Sequence, residues 1–145
     1  MPISTLALLV SAATYQRTRA RDQHAEAVKV AVRQTSSPMC CGHDASSSTV
    51  QVENGTDRPL RGVCLVTADH TALLYNVLQP GITDHEHFPG PIDAHHAAVV
   101  WRDHDGRWWA RHLSNQGLYR GGRIPGIGRM RAVTQAKRAA LPPSS

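Results

Sequence analysis

Apolar and polar residues alternate with different periods along this chain, and the change of period predicts where its elements begin. Residues 3–15, ISTLALLVSAATY, form an uncharged and mostly apolar run. The stretch that follows is rich in Ala, Arg, Glu and Gln, which favour helix, so we predict one helix over residues 1–27. At residues 28–33, VKVAVR, valine recurs at every second position, which is the pattern of a half-buried strand. The folded domain is therefore predicted to start at residue 28.

Short strands separated by turn signals account for most of residues 28–119. Further apolar or alternating runs are TVQVEN, RGVCLVTAD, TALLYNVL, AAVVWRD and GRWWARHL, with a weaker one at LYRGG. Clusters rich in proline, glycine and asparagine lie between them. This spacing predicts an all-β sandwich rather than alternating strands and helices. The remaining residues, 120–145, are predicted to form a basic and largely disordered tail.

The three tryptophans lie together in VVWRDHDGRWWARH, residues 99–112. The sequence DHDG between two apolar strands fits a type I turn followed by Gly106 in the left-handed region. Asp103 suits the first turn position, because its carboxylate can accept hydrogen bonds from local backbone N–H groups. In that register Trp101 lies opposite Trp109, and both face the core. A two-residue turn would shift the register by one position and bury tryptophan less well.

Three motifs carry a resemblance to a known group of proteins. They are VQVENGTDRPLRGV at 50–63, LQPG at 78–81 and WRDHDGRWWAR at 101–111. Together with the N-terminal apolar helix, they resemble uncharacterised small actinobacterial proteins that carry an immunoglobulin-like β-sandwich domain. The resemblance covers residues 3–118, with Trp101 in the place where that pattern has phenylalanine. It implies an immunoglobulin-like antiparallel sandwich and no catalytic residues.

Charge is distributed unevenly, although the whole chain has a formal net charge of +5. Residues 1–34 carry five basic and two acidic side chains, residues 35–100 two basic and seven acidic, and residues 101–145 nine basic and two acidic. Basic ends around an acidic middle suggest an anionic partner, either a membrane surface or a nucleic acid, although basic tails can also serve solubility alone. In the basic tail from residue 119 onwards, Tyr119 is the one aromatic residue, so nucleic-acid binding is the weaker alternative.

The order of residues in the N-terminal segment bears on location. Arg17, Arg19 and Arg21 follow the apolar run, and Tyr15 lies at the junction. An apolar run followed by arginines is the layout of a helix whose C-terminal end faces the cytoplasm. The run is short for a bilayer, which takes about 20 residues, so a packed soluble helix and a signal peptide stay open. We predict one N-terminal membrane anchor with the domain in the cytoplasm; the alternative is a cytoplasmic protein.

The three cysteines agree with a reducing compartment. Cys40 and Cys41 are adjacent and Cys64 leaves the count odd, which suits disulfides poorly. We therefore predict reduced thiols, as in the cytoplasm. Cys64 lies in an apolar strand and is expected to be a small buried hydrophobe. Cys40 and Cys41 with His43 are a weak candidate for metal binding, because the spacing lacks a second pair.

Histidines supply the other candidate chemistry. The segment HEHFPGPIDAHH contains His85, His87, His95 and His96, and imidazoles so placed could bind zinc. The alternative is that these side chains are simply exposed to solvent. The sequence contains no Gly-x-Ser-x-Gly motif and no phosphate-binding glycine loop within a strand-to-helix frame.

These observations together predict a non-enzymatic, membrane-associated β-sandwich module that acts in protein interaction or as an accessory domain. Its expected partners are an anionic membrane surface and a protein of unknown identity, with no cofactor and no small-molecule substrate. Two alternatives remain at this point: a metal-binding protein that uses the histidine-rich segment, and a nucleic-acid-binding protein that uses the basic tail.

Overall fold

A computed structural model describes residues 2–38, 46–69, 71–121, 124 and 127 of the chain. One helix, α1 (Pro2–Val28), precedes eight strands, and a short 3₁₀ turn (Ala94–His96) lies before the sixth strand. The strands are β1 (Val30–Pro38), β2 (Ser46–Asn54), β3 (Leu60–Thr67), β4 (Thr71–Leu78), β5 (Thr83–Phe88), β6 (Ala97–Arg102), β7 (Trp108–His112) and β8 (Leu118–Arg120). The prediction of a mainly β chain with one N-terminal helix is confirmed.

The strands form two antiparallel sheets. One has three strands in the order β1-β2-β5, and the other has five in the order β4-β3-β6-β7-β8. Buried side chains from both sheets belong to one apolar cluster, so the sheets face each other as layers of a sandwich-like fold.

The valine alternation at the start of the domain places one face of the three-stranded sheet in the core. Val30 and Val32 in β1 and Val50 and Val52 in β2 are almost fully buried. Val32 lies directly opposite Val52, so one face of the pair is apolar along its length. The period-two prediction for this segment is confirmed.

Strand β3 contributes buried side chains to two apolar layers, and a register shift interrupts its alternation. Its register shifts between Val63 and Cys64, next to Gly62, whose φ of 56° lies in the left-handed region. Val63 and Leu65 belong to the core between the sheets, whereas Cys64 and Val66 belong to a second cluster. Nearly the whole strand is buried because both faces of its sheet are covered.

The second apolar cluster lies on the outer face of the five-stranded sheet. Its buried members are Cys64, Val66, Ala98, Val100 and Ala110 from the strands, together with Ile124 and Ile127 from beyond β8. The two isoleucines are 3% and 7% exposed, so they cover this face. Most of the predicted tail at 120–145 lies outside the described residues, and the prediction of disorder there stays a prediction.

Candidate functional site

The N-terminal part of α1 exposes apolar side chains that no other element covers among the described residues. Leu6, Leu8, Leu9 and Val10 are between 58% and 73% exposed. Successive helical residues turn by about 100°, so Leu8 lies on roughly the opposite side of the helix from Leu6. A helix on a protein surface normally buries an apolar stripe. We call residues 4–15 the apolar tip, since its composition suits apolar surroundings on several sides.

Polar groups of the apolar tip are partly satisfied within the helix. The Thr14 hydroxyl donates a hydrogen bond to the carbonyl oxygen of Val10 at 2.9 Å. Thr18 makes the corresponding bond to Thr14 at 3.0 Å. Such bonds to the residue four positions earlier leave the hydroxyl without need of an outside partner. Hydroxyls satisfied in this way cost less to remove from water.

A basic collar follows the apolar tip. Tyr15 is 62% exposed, and Arg17, Arg19 and Arg21 follow it on the exposed surface of the helix. Arg17 and Arg21, which are four positions apart, lie on one side of the helix, and Arg19 lies on roughly the opposite side. Tyrosine and arginine in this order suit the boundary between an apolar phase and anionic headgroups.

Within residues 2–38, 46–69 and 71–121, no helix is both long and apolar enough to cross a membrane. The reason lies in the sequence of α1, where the apolar run ends at Tyr15 and three arginines follow. A crossing needs about 20 apolar residues. The expected transmembrane helix is therefore not found in that part of the chain.

The C-terminal end of α1 is held against the turn between β6 and β7. Gln23 Nε2 donates to Asp105 Oδ2 at 3.2 Å, and Arg19 Nη2 lies 3.8 Å from Asp105 Oδ1. The His24 ring meets Trp109 edge-on, with the ring centroids 6.2 Å apart. We call this region the helix–hairpin junction. It ties the helix to the sandwich, while residues 4–22 remain exposed.

The hairpin itself has the predicted turn. The Asp103 amide donates to the Arg107 carbonyl at 2.9 Å, the Gly106 amide donates to the Asp103 carbonyl at 3.1 Å, and Gly106 has a φ of 80°. Trp101 lies opposite Trp109, and both are at most 2% exposed. The predicted register is confirmed. Because the β6–β7 ladder continues from this turn, the turn sets which side chains reach the core.

The Asp103 carboxylate makes one contact that the sequence did not predict. Its Oδ1 accepts from the Arg107 amide at 2.9 Å, as a turn aspartate does. Its Oδ2 accepts from the indole Nε1 of Trp109, also at 2.9 Å. A buried indole N–H needs such a partner. The sequence offered one sign of this contact: Trp109 lies six positions after Asp103.

A cavity of about 190 Å³ lies at the helix–hairpin junction. Both buried tryptophans line it, together with the base of α1 and the residues around Leu60. Charged side chains from α1 and from the β6–β7 turn also line it. It therefore combines flat apolar walls with nearby charge, which is the usual composition of a small-molecule site.

The four candidate histidines fall into two pairs. His85 and His87 project from β5, with ring centroids 5.2 Å apart in an edge-to-face arrangement. His95 and His96 lie in the 3₁₀ turn, where Asp93 Oδ2 lies 2.7 Å from His96 Nδ1. That contact lowers the pKa of the Asp93 carboxyl.

Across the described ranges, no three His, Cys, Asp or Glu side chains are grouped to hold a metal ion. Cys40, Cys41 and His43 lie outside those ranges.

Two other titratable groups are buried. Burial raises the pKa of the Cys64 thiol to about 11, so the thiol is protonated at neutral pH and is a poor nucleophile. Burial, with the charges of Asp84 and Glu86, raises the pKa of Tyr75 to about 12. Both groups are held in their neutral forms, which suits packing rather than proton transfer.

The sequence and the fold were compared with protein families, curated proteins and solved structures. No family model matches this chain. No curated protein and no solved structure matches it either. The features of this chain that bear on function are the apolar tip, the basic collar and the surface of the sandwich.

Proposed function

We propose that this chain is a non-enzymatic, membrane-associated β-sandwich module that acts through protein interaction. The apolar tip enters one side of a lipid bilayer without crossing it, and the basic collar lies among anionic headgroups. The sandwich then stands on the cytoplasmic side. The observation that carries this proposal is the exposure of Leu6, Leu8, Leu9 and Val10 on different sides of a helix that extends from the sandwich.

Elementary energetics support lipid as the surroundings of the apolar tip. Transferring a leucine or valine side chain from water to an apolar phase gains about 1.5–3 kcal/mol. An arginine next to an anionic surface adds about 1 kcal/mol. Since Leu8 points away from Leu6, a flat protein surface would leave one of them in water. A lipid phase covers both.

The finer topology is part of the same proposal: an immunoglobulin-like sandwich. In an immunoglobulin fold the first, second and fifth strands share one sheet and the third, sixth and seventh share the other. The same division is found here: one sheet contains β1, β2 and β5, and the other contains β3, β6 and β7. Three features depart from the antibody pattern. The fourth strand of an antibody constant domain lies in the first sheet, whereas β4 pairs with β3 in the second. The buried tryptophans lie in β6 and β7 rather than in the third strand, and β8 extends the second sheet.

The interaction surface in this proposal is the open edge of β4. Edge strands offer unpaired backbone groups, and proteins normally guard them with charged residues or by keeping them short. The other edge strands, β1, β5 and β8, each contain charged residues, and β8 has only three residues. Strand β4 has eight residues and no charge. It also exposes Leu73 and Val77, which are 38% and 45% accessible.

The occupant that this edge fits best is β4 of a second copy. Two such strands pair antiparallel without bringing like charges together, because neither has any. An antiparallel pair about a twofold axis also buries the same exposed side chains on both copies. The two five-stranded sheets would then continue into one another.

Vesicle binding tests the membrane part. The full chain is expected to sediment with anionic vesicles and less with neutral ones. The double variant Leu8→Glu, Leu9→Glu should bind at least about tenfold more weakly, because two apolar side chains are lost from the lipid. The matched control is Pro89→Glu, Pro91→Glu, which adds the same two carboxylates at exposed positions in the turn at the end of the sandwich opposite α1. Equal binding by both variants, or none by the natural sequence, would refute membrane association.

Sedimentation velocity tests the β4 edge. The full chain is expected to show a dimer that increases with concentration, and Val77→Glu should shift it to monomer. Val77 lies opposite Arg61, so the new carboxylate has a favourable neighbour and the fold is preserved. His85→Glu on the already charged edge β5 is the control and should leave the dimer intact, since His85 lies opposite the uncharged Gln51. A natural chain that stays monomeric, or an equal loss of dimer in the control, would rule out this interface.

A further inference from the structure

We infer that His85 and His87 together bind a divalent transition-metal ion on the outer face of the three-stranded sheet. The inference is independent of the membrane and dimer proposals, because β5 belongs neither to the apolar tip nor to the sheet that contains β4. It rests on the shared face of the two side chains, the distance between their rings, the hydrogen bond of one ring, and the charges around them.

The pleat of β5 places both imidazoles on the same side of the sheet. Residues two positions apart on a strand point to the same face. Gln51 lies between two buried valines of β2 and therefore faces outwards, and its partner in β5 is His85. Both His85 and His87 are exposed, so an ion in solution reaches them without any movement of the core.

The two rings are close enough to share one ion. Their centroids are 5.2 Å apart. Two imidazoles bound to one tetrahedral zinc ion, at the usual Zn–N distance, have centroids about 5 Å apart. Binding therefore requires at most a rotation of the rings, and the backbone of β5 keeps its place in the sheet.

A hydrogen bond from the neighbouring strand orients one of the rings. His87 Nδ1 lies 2.8 Å from Thr49 Oγ1. When Nδ1 carries the proton, it donates to this hydroxyl, and Nε2 keeps the lone pair that binds a metal. A histidine that binds a metal through one nitrogen normally donates a hydrogen bond through the other. Thr49 is therefore the positioning residue of this site.

The surroundings do not repel a cation. Strand β5 carries two carboxylates and neither lysine nor arginine. The residues opposite the two histidines, Thr49 and Gln51, are uncharged. Arg33 lies one strand further away, in β1, which places it about 10 Å from β5. Imidazole ligands suit zinc, copper and nickel, whereas magnesium and calcium prefer oxygen.

The other histidine pair lacks this arrangement. His95 and His96 are consecutive in a 3₁₀ turn, and His96 Nδ1 is engaged with Asp93. Neighbouring positions of a helical turn do not face each other. Since no third metal-binding side chain is grouped with His85 and His87 in the described ranges, water would fill the remaining coordination positions. We expect weaker binding than at a structural zinc site, where all four ligands come from the protein.

Titration of the full chain with Zn²⁺, followed by NMR of the histidine ring nitrogens, tests the site. The resonances of His85 and His87 are expected to shift saturably with Zn²⁺ and to stay unchanged with Mg²⁺. The variants His85→Gln and His87→Gln assign the two signals. A titration in which Zn²⁺ leaves these two rings unchanged, or in which Mg²⁺ shifts them equally, would overturn the inference.

Single substitutions test whether the two rings act as one site. With His87→Gln, the Zn²⁺ concentration that half-saturates the His85 signal should rise at least about tenfold, because a single imidazole cannot chelate the ion. Thr49→Val removes the hydroxyl and should also weaken binding, by about tenfold. The matched control is His95→Gln, which removes an exposed imidazole outside the pair. Equal Zn²⁺ responses of His85 in His87→Gln and His95→Gln would refute a shared site.

Discussion

Asp103 shows how much of this molecule depends on one side chain. One carboxylate oxygen closes the turn by accepting from Arg107, and the other holds the indole of Trp109. The turn role was predictable, because it depends on neighbours along the chain. The bond to the indole was not, since it requires the ring to be packed in one orientation. The contact of Gln23 with Asp105 was hidden for the same reason: the two residues are 82 positions apart.

Replacing Asp103 by alanine should therefore cost two contacts at once. The change leaves the Trp109 indole N–H without its partner and removes a hydrogen bond that fixes the turn. We expect the free energy of unfolding to fall by about 2–4 kcal/mol. Urea denaturation followed by tryptophan fluorescence measures it. Asp93→Ala, at an exposed position outside the sheets, should have a much smaller effect, and equal losses in the two variants would contradict the role given to Asp103.

At the scale of elements, local signals predicted the helix and most of the strands but not β5, whose residues show no apolar alternation. The helix, the valine alternation of β1 and the β6–β7 hairpin all follow from spacing between near neighbours, and each was predicted from the sequence. The distribution of strands between two sheets depends on contacts between distant segments. The register shift in β3 was also missed. The one sequence feature associated with this shift is Gly62, a glycine within an apolar run.

Gly62 tests that shift. Its φ of 56° is one that a residue with a side chain adopts only with strain. Gly62→Ala should lower the free energy of unfolding by about 1–2 kcal/mol. The control is Gly90→Ala, because an added methyl group there would meet nothing within 4 Å. Thermal unfolding of both variants gives the comparison. A Gly62→Ala protein as stable as the control would show that the shift in β3 does not depend on glycine.

At the scale of the whole molecule, composition did not show that residues beyond the last strand contact the sandwich. The basic character of residues 120–145 predicted a tail that begins directly after the last strand. Ile124 and Ile127 nevertheless pack on the outer face of the five-stranded sheet. Two isolated isoleucines in a basic segment are too weak a pattern to predict a packed segment. The need to cover that face is visible only once β3, β6 and β7 lie side by side.

The double variant Ile124→Ser, Ile127→Ser should uncover this face. Each buried isoleucine contributes about 1.5–3 kcal/mol, so stability should fall by several kcal/mol. The Cys64 thiol, which is fully buried, should then react faster with iodoacetamide, as measured by peptide mass mapping. Ile82→Ser, at an exposed position, should change neither quantity. Unchanged Cys64 reactivity in the double variant would mean that these isoleucines do not protect the face.

The attachment of α1 makes the two ends of the sandwich different. The turn at 103–107 and the loop at 79–82 lie at the end where the helix is attached, and the turns at 89–96 and 113–117 lie at the opposite end. Only about 10 Å of helix separates residue 15 from residue 22. If the first turns of α1 lie in lipid, the sandwich lies close to the headgroups. Molecules in solution would then contact the turns at the opposite end first.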